Sequence, residues 1–248
     1  MSIFEIDSVI FFLLLLPLVA FLYASVGHGG ASGYLALMAL FAFEPSSMKP
    51  TALLLNLFVA AISFFHYWRN GHFNLRLFTV FAISSIPFAY LGGLIELDAS
   101  IYKRILAILL IIAILRMLNI FGKKSDQIVP VKRWQGLIIG AVIGFFSGLI
   151  GIGGGIILTP VILLMDWGEM KEAAAVSALF IWVNSAAGML GQISSGVTIY
   201  ADASVMVGIA VAGGFFGAYF GSTHFNNRIL RYLLAFVLLL ASVKLIFT

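Results

Sequence analysis

The chain has 248 residues, of which 62% are hydrophobic and 10% charged, with a mean hydropathy of +1.12 and a formal net charge of +4. Soluble domains run at roughly 45–50% apolar and roughly 25% charged residues, so too few polar side chains are present to cover a soluble globule of this size. A soluble enzyme, a nucleic-acid-binding domain and a disordered chain are excluded, and a polytopic membrane protein remains.

The first residues carry Glu5 and Asp7 and no Lys or Arg. The basic start of a cleavable signal is missing, and the run to Val26 reads as a first spanning helix. Ten apolar segments are expected in all, at 7–26, 31–43, 50–66, 73–95, 99–120, 134–150, 154–165, 172–192, 198–222 and 228–247. Eight are close to the about 20 residues that cross about 30 Å of hydrocarbon. The second and seventh are short, and each follows a glycine cluster. The runs are continuous rather than alternating, which predicts helices and not barrel strands.

The first cluster is Ser25-Val26-Gly27-His28-Gly29-Gly30-Ala31-Ser32-Gly33. The second is Gly148-Leu149-Ile150-Gly151-Ile152-Gly153-Gly154-Gly155. Contiguous glycines favour a break in a helix. Broken backbone at membrane depth survives only where protein or a wet cavity surrounds it. A short helix starting at such a break turns unpaired N–H groups and the positive end of its dipole toward the break, which suits an anion without any lysine or arginine. Gly140, Gly144 and Gly148 recur every fourth residue, as do Gly213, Gly217 and Gly221. These read as packing faces, with Ala20 and Ala24 as first-half counterparts of Gly144 and Gly148.

The halves repeat at a shift of about 125–128 residues, which pairs the two clusters, Asn56 with Asn184, and Ala89-Tyr90 with Ala218-Tyr219. The expected division is a first repeat at 1–122, a basic cytoplasmic linker at 123–133 and a second repeat at 134–248. Charge sets the orientation. The loop from Arg69 to Arg76 is basic, and so is the linker with Lys123, Lys124, Lys132 and Arg133. The second-half loop at Ile193–Val197 is uncharged, whereas the one with His224, Arg228 and Arg231 is basic. The pattern swaps sides between halves. It predicts an all-α fold of two inverted repeats, eight long and two short helices, with the short segments counted as crossings and both termini outward.

Single polar residues complete the candidate site. Asn56 and Asn184 lie within apolar helices and act either as interhelical glue or as ligands. Thr51, Ser177 and Ser185 add hydroxyls on the same helices, and Gln192 is a weaker candidate near a helix end. His28 is the titratable residue of the clusters; it carries a proton, contacts an anion as imidazolium, or stays neutral and hydrogen-bonded. His66, His72 and His224 read as solvated loop residues. Trp68, Trp134, Tyr67 and Tyr200 read as interfacial anchors. Cysteine is absent, which excludes disulfides and thiolate-ligated metals. No catalytic residue, metal or cofactor is expected.

With two GxGG-type clusters, each opening a short helix and followed by an Asn- or Thr-bearing helix, the chain resembles the TauE/SafE (TSUP) family, the sulfite exporter and sulfonate permease group. The likeness covers nearly the whole chain. Gly151–Gly155 followed by Thr159-Pro160 matches the family pattern closely; the first cluster has His28-Gly29-Gly30-Ala31 in place of a longer glycine run. The resemblance implies a multi-pass transporter of the bacterial inner membrane for small sulfur-containing or organic anions such as sulfite or sulfoacetate. Hypothetically, Gly27, Gly29, Gly30, Gly151, Gly153, Gly154 and Gly155 offer backbone N–H groups, and His28, Ser32, Thr51, Asn56, Ser177, Asn184 and Ser185 complete the shell. The partners expected are the anion and the lipid bilayer, with proton or ion coupling and homo-oligomerisation left open and nucleic acid excluded. Two alternatives stand beside this. One is an anion channel or the membrane subunit of a larger complex. The other is a rhomboid-like serine protease, suggested by Gly30-Ala31-Ser32-Gly33, although the order of its His-Asn pair does not fit.

Overall fold

The computed structural model describes residues 3–41, 43, 45–95, 128–197 and 203–230, together with 232, 233, 235, 236 and 239. Among them every regular element is an α-helix. The helices are α1 (Ile3–Ala24), α2 (Ala31–Leu40), α3 (Pro45–Arg69), α4 (Leu75–Gly93), α5 (Arg133–Ile150), α6 (Gly155–Leu164), α7 (Met170–Ser194) and α8 (Ala203–Thr223). Five of these are long and apolar enough to cross a membrane, running from Ser47, Leu75, Arg133, Met170 and Ala203. The two expected short helices are present at 10 residues each. The segment 99–120, the linker residues 123–127, Tyr200 and most of 228–247 lie outside the described residues.

The surface is that of a protein in lipid. Phe11, Leu14, Leu18, Ile83, Ile138, Val205 and Phe216 are all exposed, a cover of apolar side chains that water would not tolerate. Trp68 and Trp134 are exposed at helix ends, as interfacial anchors are. Tyr67 corrects that reading. It is fully buried, and its hydroxyl donates to the Ser25 carbonyl at 2.6 Å. A tyrosine at a helix end has an apolar body and a polar tip, and here an inward carbonyl satisfies the tip. His66 also departs from expectation: it lies within α3, with its ring against Phe215 and Tyr219.

The packing is crosswise. The most extensive pairs are α4 with α5 and α1 with α8. Both are glycine seams, as the fourfold spacing predicts. Gly140, Gly144 and Gly148 lie against the carbonyls of Phe81, Ser85 and Ala89, and Gly213, Gly217 and Gly221 against those of Pro17, Phe21 and Ser25. A Cβ at any of these six would run into backbone, so the helices approach as only glycine permits.

The residue pairs also fix helix directions. Both seams advance together along the chain, so α4 runs parallel to α5 and α1 parallel to α8. Asn184 bonds Ser85 and Asn74 bonds Glu172, which sets α7 parallel to α4. Gly214 lies on Val59 and Ser222 meets Asn70, which sets α8 parallel to α3. By contrast α3 and α7 are antiparallel, with Asn56 opposite Ser185, Leu53 opposite Gly188 and Tyr67 beside Ala174. Two parallel sets, α1–α3–α8 and α4–α5–α7, therefore meet along the α3–α7 line. The first and third helices of each half point the same way, so each short helix returns the chain to the side it left.

Candidate functional site

The site begins where α1 ends. The chain closes a tight turn with amides of Val26, Gly27 and His28 bonded back to α1 carbonyls. It then runs through Gly30 in the left-handed region at φ 100 and enters α2. The second break repeats this after α5. Gly151 ends α5 in the left-handed conformation, and Gly153 and Gly154 stay left-handed (φ 73 and 77) up to the start of α6. Such φ values strain any residue with a Cβ.

Asn56, near the middle of α3, sits between the two breaks. Its Oδ1 accepts the Ala31 amide at 2.9 Å, at the first turn of α2. Its Nδ2 donates to Ser185 Oγ at 3.3 Å on α7. Gly29 faces Oδ1, and a Cβ on Gly153 would lie 2.7 Å from Nδ2 and 2.8 Å from Ser185 Oγ. Both breaks thus converge on one amide, which is 0% exposed. Among the described residues no hydrogen bond takes up the amides of Gly29, Gly30, Gly153, Gly154 or Gly155. Unpaired amides at two helix starts have the donor chemistry that an oxyanion can use.

A second line of bonds crosses between the halves. His28 Nε2 lies 2.8 Å from Thr159 Oγ1, and Thr159 donates to Ser177 Oγ at 2.7 Å. Thr159 has one hydroxyl proton, spent on Ser177, so it accepts from His28 Nε2–H. That assigns the tautomer and leaves Nδ1, which is buried without a partner among the described residues.

The structure brings together Gly29, Gly30, Gly153, Gly154, Asn56 and Ser185, with His28 and Ser177 joined through Thr159. Gly27 lies to one side against the backbone of Ala174, and Gly151 to the other against Lys49. Gly155 packs on Ile181. Thr51 is buried on α3, one turn and more before Asn56. Ser32 is turned to α1, where its Oγ meets Tyr23 Oη at 2.9 Å. Asn184 is also placed elsewhere: its Nδ2 donates to Ser85 on α4 and to the Phe180 carbonyl of its own helix, as glue between helices does. The helices α3 and α7 start at 45 and 170. In that register Ile181 corresponds to Asn56, and Asn184 does not.

Sequence reasoning assigned no contact to Thr159 and passed over Lys49. The third apolar segment, α3, is expected from the sequence to start at 50, which leaves Lys49 outside it. It starts at Pro45, and the Lys49 stem reaches Gly151, whose added Cβ would be 2.7 Å from Lys49 Cγ. Pro45 opens the helix, where the fixed φ of proline suits the first turn, and Pro50 lies inside it, in the second turn.

Comparison with known proteins gives consistent matches. The family model described as "Sulfite exporter TauE/SafE" matches residues 12–245. A Sinorhizobium fredii protein named "Probable membrane transporter protein y4hK" is 37% identical over 92% of this chain and 94% of its own length. "Probable membrane transporter protein YjnA" of Bacillus subtilis is 28% identical over 89% and 92%. A Methanocaldococcus jannaschii protein of the same designation is 28% identical over 76% of each chain. No solved structure matches.

Proposed function

The chain belongs to the sulfite exporter TauE/SafE family, and on that premise we propose that this multi-pass membrane transporter carries a small sulfur-containing or organic anion, of the sulfite or sulfonate class, bound at the two glycine breaks. The observation that carries the reading is Asn56 held between both breaks, with open amides on either side of it. Backbone donors suit an oxyanion that must also leave, because they stabilise negative charge without a fixed counter-charge.

We read the two halves as inverted repeats. The support is directional: α1 runs opposite to α5, α3 to α7 and α4 to α8. Equivalent helices that point in opposite directions are what a two-fold axis in the membrane plane would produce. Alternating access then means a change at the α3–α7 line.

Coupling to a proton is the form that fits His28. Its unpartnered Nδ1 is a place for a proton, and an imidazolium beside the breaks would balance the anion. The test is flux in proteoliposomes loaded with sulfite, sulfoacetate or methanesulfonate. Saturable flux lost in Asn56→Ala and made insensitive to a pH gradient in His28→Gln is expected. No flux of any of the three from the wild-type protein would overturn the substrate reading.

A further inference from the structure

The two ends of the α3–α7 line are built differently. Tyr67 and Gln192 hold corresponding places, each two residues before the end of a 25-residue helix. At the Tyr67 end the line is closed. The tyrosine is fully buried and bonded to Ser25, and the Ala174 backbone fills the space beside Gly27. At the other end the corresponding residues are Gln192, and Lys49 in place of Ala174.

Gln192 is 2% exposed, yet among the described residues neither Nε2 nor Oε1 has a partner. A buried amide left so is costly in any protein and calls for a ligand. The register that sets Asn56 opposite Ser185 and Leu53 opposite Gly188 brings Lys49 to the level of Gln192. The Lys49 stem packs on Gly151, at the start of the second break. The Lys49 stem, an unused amide and a glycine turn therefore stand at one level, between the central cluster and the membrane face where α3 begins and α7 ends.

We propose that Lys49 and Gln192 form an oxyanion-binding subsite at the mouth of the transport path, the point where a sulfonate or similar anion loses its first waters before it reaches the glycine breaks. This rests on the breaks being the central anion site. Lysine suits a mouth: it is a point charge on a flexible stem, which attracts an anion without clamping its geometry. The Gln192 N–H adds direction. In this proposal the path is entered from this end; at the other, the buried Tyr67 covers the α3–α7 line.

The chain has no cysteine, so single cysteines report access on a clean background. Gln192→Cys and Ala174→Cys would be treated with an anionic (sulfonatoethyl) and a cationic (trimethylammonioethyl) methanethiosulfonate. Gln192→Cys is expected to react with the anionic reagent about tenfold faster, roughly what one nearby, partly screened charge supplies. Adding Lys49→Met should erase that preference, methanesulfonate should slow the reaction, and Ala174→Cys should stay unreactive. Equal labelling at 174 and 192, or a preference indifferent to Lys49→Met, overturns the proposal. If Gln192→Cys does not fold, the methanesulfonate concentration giving half-maximal thermal shift replaces it. It should rise about tenfold in Lys49→Met and return in Lys49→Arg, and no change in Lys49→Met would overturn the proposal. The wild-type thermal shift separates the two readings. If methanesulfonate gives none, the central site fails; if it gives one that Asn56→Ala removes while Lys49 is without effect, only the mouth fails.

Discussion

Asn56 shows what one side chain contributes when it bonds on both sides. Replacing it by alanine strands the Ala31 amide and removes the bond to Ser185. In a dry interior this costs about 1–3 kcal/mol, which a lower melting temperature in detergent should register, together with loss of transport. Two glycines separate strain from site. Gly71 has φ 76 and open space around it, whereas a Cβ on Gly29 would meet the Asn56 amide. Gly71→Ala is expected to cost about 1–2 kcal/mol of stability and to leave transport intact. Gly29→Ala should abolish transport, because the carboxamide must move; flux at wild-type rates in that variant would count against the central role of Asn56. The breaks were legible in the sequence because contiguous glycines change the backbone itself. Tyr67 and Asn184 were not. Hydropathy does not say which way an amphipathic side chain at a helix end turns, and matching repeats by residue identity placed Asn184 three positions out of helical register.

At the scale of elements the two glycine seams carry the packing. Their fourfold spacing was readable because a helix brings every fourth residue to nearly one face, although the partners α4 and α1 could not be read from it. Gly148→Val should be among the most damaging single changes, since the added carbons meet the Ala89 carbonyl and the Gly93 amide. Overpacking of this kind costs about 1–3 kcal/mol or more. Gly208 lies in the same helix as the second seam but has nothing near its missing Cβ. Gly208→Ala should raise the melting temperature slightly, by the about 0.5–1 kcal/mol that alanine gains over glycine in a helix. Melting curves of the two variants side by side check both. The boundaries of α3 were less legible than its interior, and this is why Lys49 went unnoticed: two prolines near a helix start leave its first turn ambiguous.

For the whole molecule, the basic loops gather on one face. A pocket of about 930 Å³ there is lined by His72, Asn74, Arg76, Lys171 and Asn226 among others. His72 Nε2 lies 3.3 Å from the Ser222 carbonyl, and Lys171 donates to the same oxygen at 3.0 Å. Burial holds the His72 pKa below its usual value, against the opposing pull of the Ser222 carbonyl, with Lys171 adding to the depression. The folded state thus favours neutral His72, and the unfolded chain binds the proton more readily. Its contribution is present above the ordinary histidine pKa of about 6.5 and is lost as pH falls from there through the folded value. Melting temperature should drop over that window, and His72→Gln should flatten the drop. Loop charge alone predicts that this face is cytoplasmic. The crosswise pairing of helices is not read this way, because no local pattern tells a glycine stripe which distant helix it will meet.

That crosswise pairing has a consequence for biogenesis. The carbonyls of Pro17, Phe21 and Ser25 are covered by Gly213, Gly217 and Gly221, so α1 is completed by a helix that emerges from the ribosome almost two hundred residues later. Until then α1 stands in the bilayer with its seam open, a nascent intermediate for the insertion machinery to shelter. Chains truncated before 203 should remain associated with that machinery or be degraded, and a pulse-chase with release at 197 and at 230 should show protease resistance appearing only in the longer product.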